Sequence, residues 1–265
     1  MKVSLIQIDA DDNKGNNFSK AMALLQEALE DKPSVICLPE NFLYFGENKL
    51  NEAESLDSRY ISAFQDFARV NGINLVLGSV ALKTNLEDKV TNTSLVIDSR
   101  GEIVSRYDKM YLFDVNSNGV VMTESDTTIP GSSLGIFTLD NVKIGVGICY
   151  DLRYPEYFRA LMKEGVEVIF LPSNFMELTG AIAWEYLTAA RAIENQVYFC
   201  ACNQTGGSGV KVRCGNTRIL SYDGTVLSNL PVKEGVISAE LDFEMLRKFR
   251  TEFPTLYQAG KQLNL

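Results

Sequence analysis

Two stretches of this chain are written almost alike. Val35-Ile36-Cys37-Leu38-Pro39-Glu40-Asn41 matches Val168-Ile169-Phe170-Leu171-Pro172-Ser173-Asn174 at five of seven positions. Each begins as a short β-branched apolar run, the signature of a fully buried strand. Each follows a helical pattern and stops at a proline, which a sheet interior does not accept. Each half later carries an Asp/Gly hairpin signal, Asp98-Ser99-Arg100-Gly101 in the first and Asp223-Gly224 in the second. Buried strands draw on a small alphabet, so the match alone proves little; its repeated helix-strand-turn setting carries the reading. A strand buried on both faces needs a cover on both. The expected fold is therefore α/β, two related halves packed sheet against sheet with helices outside. Sites in open α/β sheets collect at the C-terminal ends of strands, which puts Glu40, Asn174 and Cys149 on one rim.

The rest of the pattern fits. Met1 to Asp9 reads as a first strand, and Asn17 to Glu30 as a helix through Phe18, Met22, Leu25 and Leu29. Ser55 to Val70 is a second helix, followed by strands at Leu75–Val80 and Ser94–Ile97, then Glu102–Tyr107. From Asp114 to Gly131 periodicity is lost, and a stretch that long inside a compact domain is usually functional. Later come a strand at Val166–Leu171, a helix at Ala181–Asn195, a strand at Val197–Cys202 and a last helix at Asp242–Arg250. No Pro/Ser-rich linker or charge block interrupts the 265 residues, so one domain over 1–265 is expected.

Composition removes several classes of chemistry. The chain has no histidine at all. Ser-His-Asp and Cys-His schemes, histidine metal sites and histidine general bases are excluded, and acid-base work falls to carboxylates, lysines, tyrosines or thiols. The five cysteines include no CxxC pair, which speaks for reduced thiols and against a zinc cluster or any other metal site. Cys200 and Cys202 alternate along a strand and so share one face. A net charge of −9 argues against nucleic-acid or anionic membrane partners. The first residues form a strand and not a signal peptide, and no apolar run approaches a membrane span, so the expected location is cytoplasmic.

What chemistry remains is concentrated in three places. Lys143 to Ile148 is an apolar, glycine-containing strand that delivers Cys149 to its C-terminal end. A polar turn follows, and Pro155-Glu156 opens a helix through Phe158, Leu161 and Met162. A strand-turn-helix joint holds a side chain at a sheet rim beside a helix N-terminus, a place that favours a thiolate. The alternative is a small core cysteine. Glu40 follows an apolar strand and Pro39, the partly desolvated setting that suits a general base. Lys109 lies among Tyr107, Met110, Tyr111, Leu112 and Phe113, either as a snorkelling surface residue or as a site cation able to stabilise an oxyanion. Thiol, carboxylate and ammonium together supply nucleophile, base and oxyanion partner without histidine.

These stretches resemble the nitrilase, or carbon-nitrogen hydrolase, superfamily over nearly the whole chain. The resemblance rests on three motifs in order: Leu38-Pro39-Glu40-Asn41-Phe42, Tyr107-Asp108-Lys109-Met110-Tyr111-Leu112-Phe113, and Gly147-Ile148-Cys149-Tyr150-Asp151-Leu152-Arg153-Tyr154-Pro155-Glu156. It implies a Glu40-Lys109-Cys149 triad, a second catalytic glutamate at Glu124, and an oxyanion site that includes the backbone N–H of Tyr150. It implies a four-layer α-β-β-α sandwich, no cofactor, and a homodimer or larger homo-oligomer. Within the superfamily the chain is most similar to the Nit subgroup of deaminated-glutathione amidases and ω-amidases. The substrate would be a small non-peptide amide, cleaved to carboxylate and ammonia through a thioester. Nit proteins usually carry three histidines where this chain has Tyr111, Ala183 and Asn216-Thr217, so pocket shape is expected to differ.

Substrate contacts are expected from Arg153, Asn174, Phe175, Trp184 and Tyr44, with Phe42 also a candidate; core packing is the alternative for each aromatic. Arg153, four residues past Cys149, suits the far carboxylate of an ω-amide, or else an ion pair with Glu156 or Asp151. Nitrile hydrolysis and N-carbamoyl hydrolysis are the enzymatic rivals, and an inactive binding module is the non-enzymatic one.

Overall fold

The two matching stretches become strands in equivalent places of two sheets. The structure is a computed structural model and describes residues 1–117 and 120–256. The first half runs β1 (Lys2–Gln7), α1 (Lys14–Ala28), β2 (Val35–Cys37), α2 (Arg59–Asn71), β3 (Asn74–Val76), β4 (Val80–Lys83), β5 (Val90–Ile97) and β6 (Ile103–Asp108). A separate antiparallel pair follows, β7 (Asp114–Ser117) and β8 (Val120–Thr123). The second half runs β9 (Gly135–Leu139), β10 (Val142–Val146), α3 (Pro155–Lys163), β11 (Val168–Ser173), α4 (Glu177–Asn195), β12 (Tyr198–Asn203), β13 (Thr217–Leu220) and β14 (Val226–Leu230). Then β15 (Gly235–Glu240) returns to the first sheet, and α5 (Phe243–Glu252) closes the described chain.

In the first sheet, β1, β2 and β3 are parallel, β15 flanks β1 antiparallel, and β5 flanks β3 antiparallel. In the second, β10, β11 and β12 are parallel, with β9 and β13 as the antiparallel flanks. Strands β2 and β11, the matching stretches, are the middle strands of their parallel triplets. Side chains alternate across a strand. Val35 and Cys37 face the other sheet, while Ile36 and Leu38 pack under α1 and α2 with Ala21, Leu25, Ile61 and Phe64. Helices α3 and α4 cover the outer face of the second sheet through Phe158, Leu161, Trp184 and Ala192. The layers are α-β-β-α. Cys202 crosses the central interface, its thiol donating to the carbonyls of Ile6 (3.1 Å) and Cys37 (3.3 Å).

The structure differs from the sequence expectation at three informative places. Leu75–Val80 is not one strand: it breaks at Gly78, whose φ is +37°. A Cβ there would sit 2.0 Å from the Pro39 carbonyl oxygen, so only glycine allows the close approach. That break lets the chain after β2 keep pairing, with Ser79 N–H donating to Pro39 O and Asn41 N–H to Ser79 O, which fixes Glu40. Strand β5 begins at Val90, earlier than Ser94, because Thr91, Thr93 and the Asn92 amide nitrogen find hydrogen-bond partners inside. The aperiodic stretch from Asp114 contains β7, β8 and a 3-10 turn at Glu124–Asp126; residues 118 and 119 of it lie outside the described residues. Among the described residues no helix is long and apolar enough to cross a membrane.

Candidate active site

Three strand ends meet at one rim, as the repeat implied, and the buried lysine joins them. Lys109 follows β6 and is 2% exposed. Its Nζ donates to Glu40 Oε1 at 2.9 Å and to Glu124 Oε2 at 2.9 Å. Glu40, 3% exposed, also accepts from Asn92 Nδ2 (2.9 Å) and, on Oε2, from the Asn174 N–H at 2.9 Å. Its backbone carbonyl accepts from Gln204 Nε2 at 2.7 Å, so the end of β12 holds the residue from behind. Burying charges is tolerated only when every lone pair and proton is matched. Here the matching comes from both halves.

Cys149 caps the strand β10 and opens a 3-10 turn, Cys149–Arg153, with φ of +46°. A non-glycine residue in the left-handed region is strained and persists only where its surroundings hold it. Asp151 does the holding. Its carboxylate accepts from Ile148 N–H at 2.7 Å, Tyr107 OH at 2.7 Å and Tyr111 N–H at 3.0 Å. One buried carboxylate thus ties the turn that carries Cys149 to the residues on either side of Lys109. The thiol faces the Glu40 carboxylate and the Asn174 N–H. Tyr150 is the next residue, at the start of a turn whose first N–H groups have no partner within it.

Electrostatics departs from the expectation of a resting thiolate. Burial pushes the Cys149 thiol well above the ordinary range, the Glu40 charge adds to that, and Lys109 only partly offsets it. Burial also opposes the Lys109 charge, but the fields of Glu124 and Glu40 outweigh it and hold the ammonium well above the usual lysine range. Glu124 is held at about 2 against its own burial by Lys109, Lys49 and the Phe113 N–H. Burial and the Glu40 charge thus oppose the thiolate, and the Lys109 charge and the Asn174 N–H favour it.

A cavity of about 520 Å³ opens over this cluster. Tyr44, Arg153, Asn174 and Phe175 line it together with Glu40, Lys109, Glu124, Cys149 and Tyr150. Trp184 and Phe42 do not. Trp184 is fully buried in the core, its ring 5.2 Å from Phe175, and its Nε1 donates to Asn216 O at 2.8 Å. Phe42 is fully buried edge-on to Phe64. Each satisfies packing behind the wall, which is why neither reaches the cavity. Arg153 pairs with neither Glu156 nor Asp151: its Nη2 donates to Thr179 O at 2.8 Å, and the guanidinium lies 5.5 Å from the Phe175 ring centroid.

A carbon-nitrogen hydrolase family model matches residues 2–251. The chain belongs to that family. It is 37% identical to a deaminated glutathione amidase of Dictyostelium discoideum over 277 residues, covering 99% of this chain and 94% of that one. It is 32% identical to an omega-amidase NIT2 of Xenopus tropicalis over 270 residues, covering 99% and 96%. The C. elegans NitFhit crystal structure superposes with a TM-score of 0.90 at 30% identity; the match covers 97% of this chain and 64% of that longer one.

Two of the positions where the resemblance implies a histidine have structural occupations. Tyr111 stacks on Tyr154 with centroids 3.7 Å apart, and Asn216 accepts from Trp184 and from Asn229. Sequence reasoning missed Asn92, whose Nδ2 bridges Glu40 Oε1 and Glu124 Oε1 at 2.9 Å each, and Lys49 on the cavity wall. The signal for Asn92 was the polar run Thr91-Asn92-Thr93-Ser94 leading into an apolar strand, since buried polar residues in a sheet need a reason. Asp151 was in view only as a possible partner of Arg153.

Burial raises Asp151 to about 6, its hydrogen bonds working the other way. A carboxyl raised in the folded state favours folding at low pH, and that contribution is lost as pH rises through about 6. Relative to Asp151→Asn, the wild-type protein should therefore lose about 2 kcal/mol of stability between pH 4 and pH 7. Urea denaturation of both proteins at the two pH values reads this directly. A difference that does not change with pH would contradict the assignment.

Proposed function

We propose that the chain is a cysteine-dependent amidase that hydrolyses the C–N bond of a small non-peptide amide, most like a deaminated-glutathione amidase. The observation that carries this is the convergence of Cys149, Glu40 and Lys109 at the floor of one cavity, with Glu124 as a second partner of the lysine. Carbon-nitrogen hydrolysis is the family's chemistry; the relatives named as amidases support the amide, and the arrangement supplies the steps.

In acylation the Cys149 sulfur attacks the amide carbonyl carbon while its proton passes to Glu40. The carbonyl π pair moves onto oxygen, which Lys109 Nζ and the Tyr150 N–H hold. The intermediate collapses, the C–N bond breaks, and the nitrogen takes the proton from Glu40 and leaves as ammonia. Water then attacks the thioester, giving its proton to Glu40; the C–S bond breaks and Glu40 returns the proton to sulfur. Amide and water become carboxylic acid and ammonia, with Glu40 alternating between base and acid. Burial's opposition to the thiolate suits this cycle, in which the proton leaves sulfur for Glu40 as the C–S bond forms. Glu124 orients Lys109 through its 2.9 Å contact. Arg153 and Lys211 line the cavity with positive charge, which supports a substrate bearing a carboxylate at its far end.

We propose further that two copies associate through the outer face of α4. Leu178, Ile182 and Tyr186 lie one turn apart there and are 48%, 76% and 70% exposed. A contiguous apolar stripe, unlike scattered apolar side chains, calls for a cover, and a second identical stripe is self-complementary about a two-fold axis. Sedimentation should give a dimer mass that Ile182→Glu reduces; a monomeric wild type would remove this proposal.

Ammonia release tests the activity. The wild type should release ammonia from deaminated glutathione or from ω-amides of 2-oxo acids, faster than from nitriles or N-carbamoyl acids. Cys149→Ala and Lys109→Met should each lower turnover at least about a thousandfold, and Lys109→Met should also lower stability, because it leaves Glu40 and Glu124 buried without their shared cation. Turnover near the wild-type rate in either variant would sink the mechanism, and preference for nitriles would move the assignment to a nitrilase.

A further inference from the structure

Lys49 lies in the loop between β2 and α2, and its side chain is 21% exposed on the cavity wall. Its Nζ donates to Thr128 Oγ1 at 3.1 Å and stands 3.8 Å from Glu124 Oε1. That is the carboxylate oxygen Lys109 does not use. Burial presses the Lys49 ammonium below the usual lysine range and the nearby Lys109 charge adds to this, while Glu124 opposes it. A second cation is therefore kept beside the first at some cost, which asks for a reason.

Charge balance supplies one. Two carboxylates, Glu40 and Glu124, and the Lys109 ammonium lie at the floor of the cavity, with the Lys49 ammonium on the wall beside Glu124. Without Lys49 the group would carry a net negative charge where water is scarce and fields are strong. When Cys149 adds to an amide, its proton neutralises Glu40 and a negative charge appears on the substrate oxygen. Lys109, already shared between two carboxylates, must now serve that oxygen. Glu124 then needs another cation.

We propose that Lys49 is a fourth charged member of the site, a positioning residue that balances Glu124 so that Lys109 is free to turn its charge to the developing oxyanion. The proposal rests on the amidase reading and deepens it. With Lys49 present the four groups plus the reacting atoms stay neutral both before and during attack. Lys49 does not touch the reacting atoms; it acts through Glu124.

The test uses Lys49→Met, which keeps length and removes charge, and Lys49→Arg, which keeps charge. Two readouts are needed. The first is turnover of a neutral amide lacking any carboxylate, where Lys49→Met should lower kcat on the order of tenfold or more while KM stays within about twofold. The second needs no amidase activity: the pH dependence of Cys149 alkylation by iodoacetamide, followed on its own peptide by mass spectrometry. The charged and titratable groups around that thiol are Glu40 and Lys109 directly, Glu124 and Lys49 behind them, and Asp151 and Arg153 from its own turn. Removing the Lys49 charge should move the alkylation midpoint to higher pH, and Lys49→Arg should restore both readouts.

An unchanged kcat with an unchanged midpoint in Lys49→Met would overturn the proposal. So would a loss confined to KM for carboxylate-bearing amides, which would make Lys49 a substrate anchor. A lowered melting temperature with no recovery in Lys49→Arg would equally overturn it, as a packing role. If the wild type turned over no amide at all, the amidase reading would fail, and the alkylation midpoints would still decide whether Lys49 sets the charge balance.

Discussion

A lysine ammonium that is 2% exposed cannot stand alone in a protein interior, and the structure is arranged so that Lys109 does not. Two carboxylates at 2.9 Å accept from it, one from the end of β2 and one from the 3-10 turn after β8. Those carboxylates are themselves tied down by Asn92 on β5, by the Asn174 N–H at the end of β11 and by the Phe113 N–H. Removing any one partner would leave a charge buried without compensation. The cluster is thus as much a constraint on the fold as a piece of chemistry, because its members come from both sheets and fit only when the sheets are in register.

The packing of the halves secures that register. Thr217 N–H donates to Gln7 Oε1 at 2.9 Å, and Arg213 reaches from the second half to Asp9 and Ala10 while its Nε holds Asn174 Oδ1 at 3.1 Å. Arg213 therefore ties the loop after β1 to the residue whose N–H holds Glu40. On the other side, Asp151 clamps a strained Cys149 to the segment that carries Lys109. The nucleophile, the base and the cation each follow a different strand, and the segments carrying Cys149 and Lys109 are joined through Asp151 by hydrogen bonds that do not involve the reacting groups. Such preorganisation lets a site act without reorganising as charge develops.

Much of this was legible in the sequence, and the residues show why. The strand repeat foretold two halves and a shared rim, because buried strands must be apolar along their whole length and their ends must turn. Glu40, Lys109 and Cys149 stood out as charged or reactive groups at the ends of apolar runs. Lys49 and Asn92 did not. Lys49 lies in a polar loop where a lysine is ordinarily solvated, and only tertiary folding buries it beside Glu124. Asn92 belongs to a polar stretch that reads as the approach to a strand until Glu40 and Glu124 appear across from it. Trp184 shows the reverse error: a large aromatic in a family motif is as readily a wall support as a ligand contact.

The central claim is that the acyl group passes through a thioester on Cys149. Acid-quenched intact-mass measurement during turnover of a saturating amide, with and without hydroxylamine, tests it most directly. The account predicts an adduct equal in mass to the substrate less ammonia, located on the Cys149 peptide, together with a hydroxamate product when hydroxylamine is present. Unmodified enzyme in steady turnover, with no hydroxamate formed, would contradict it.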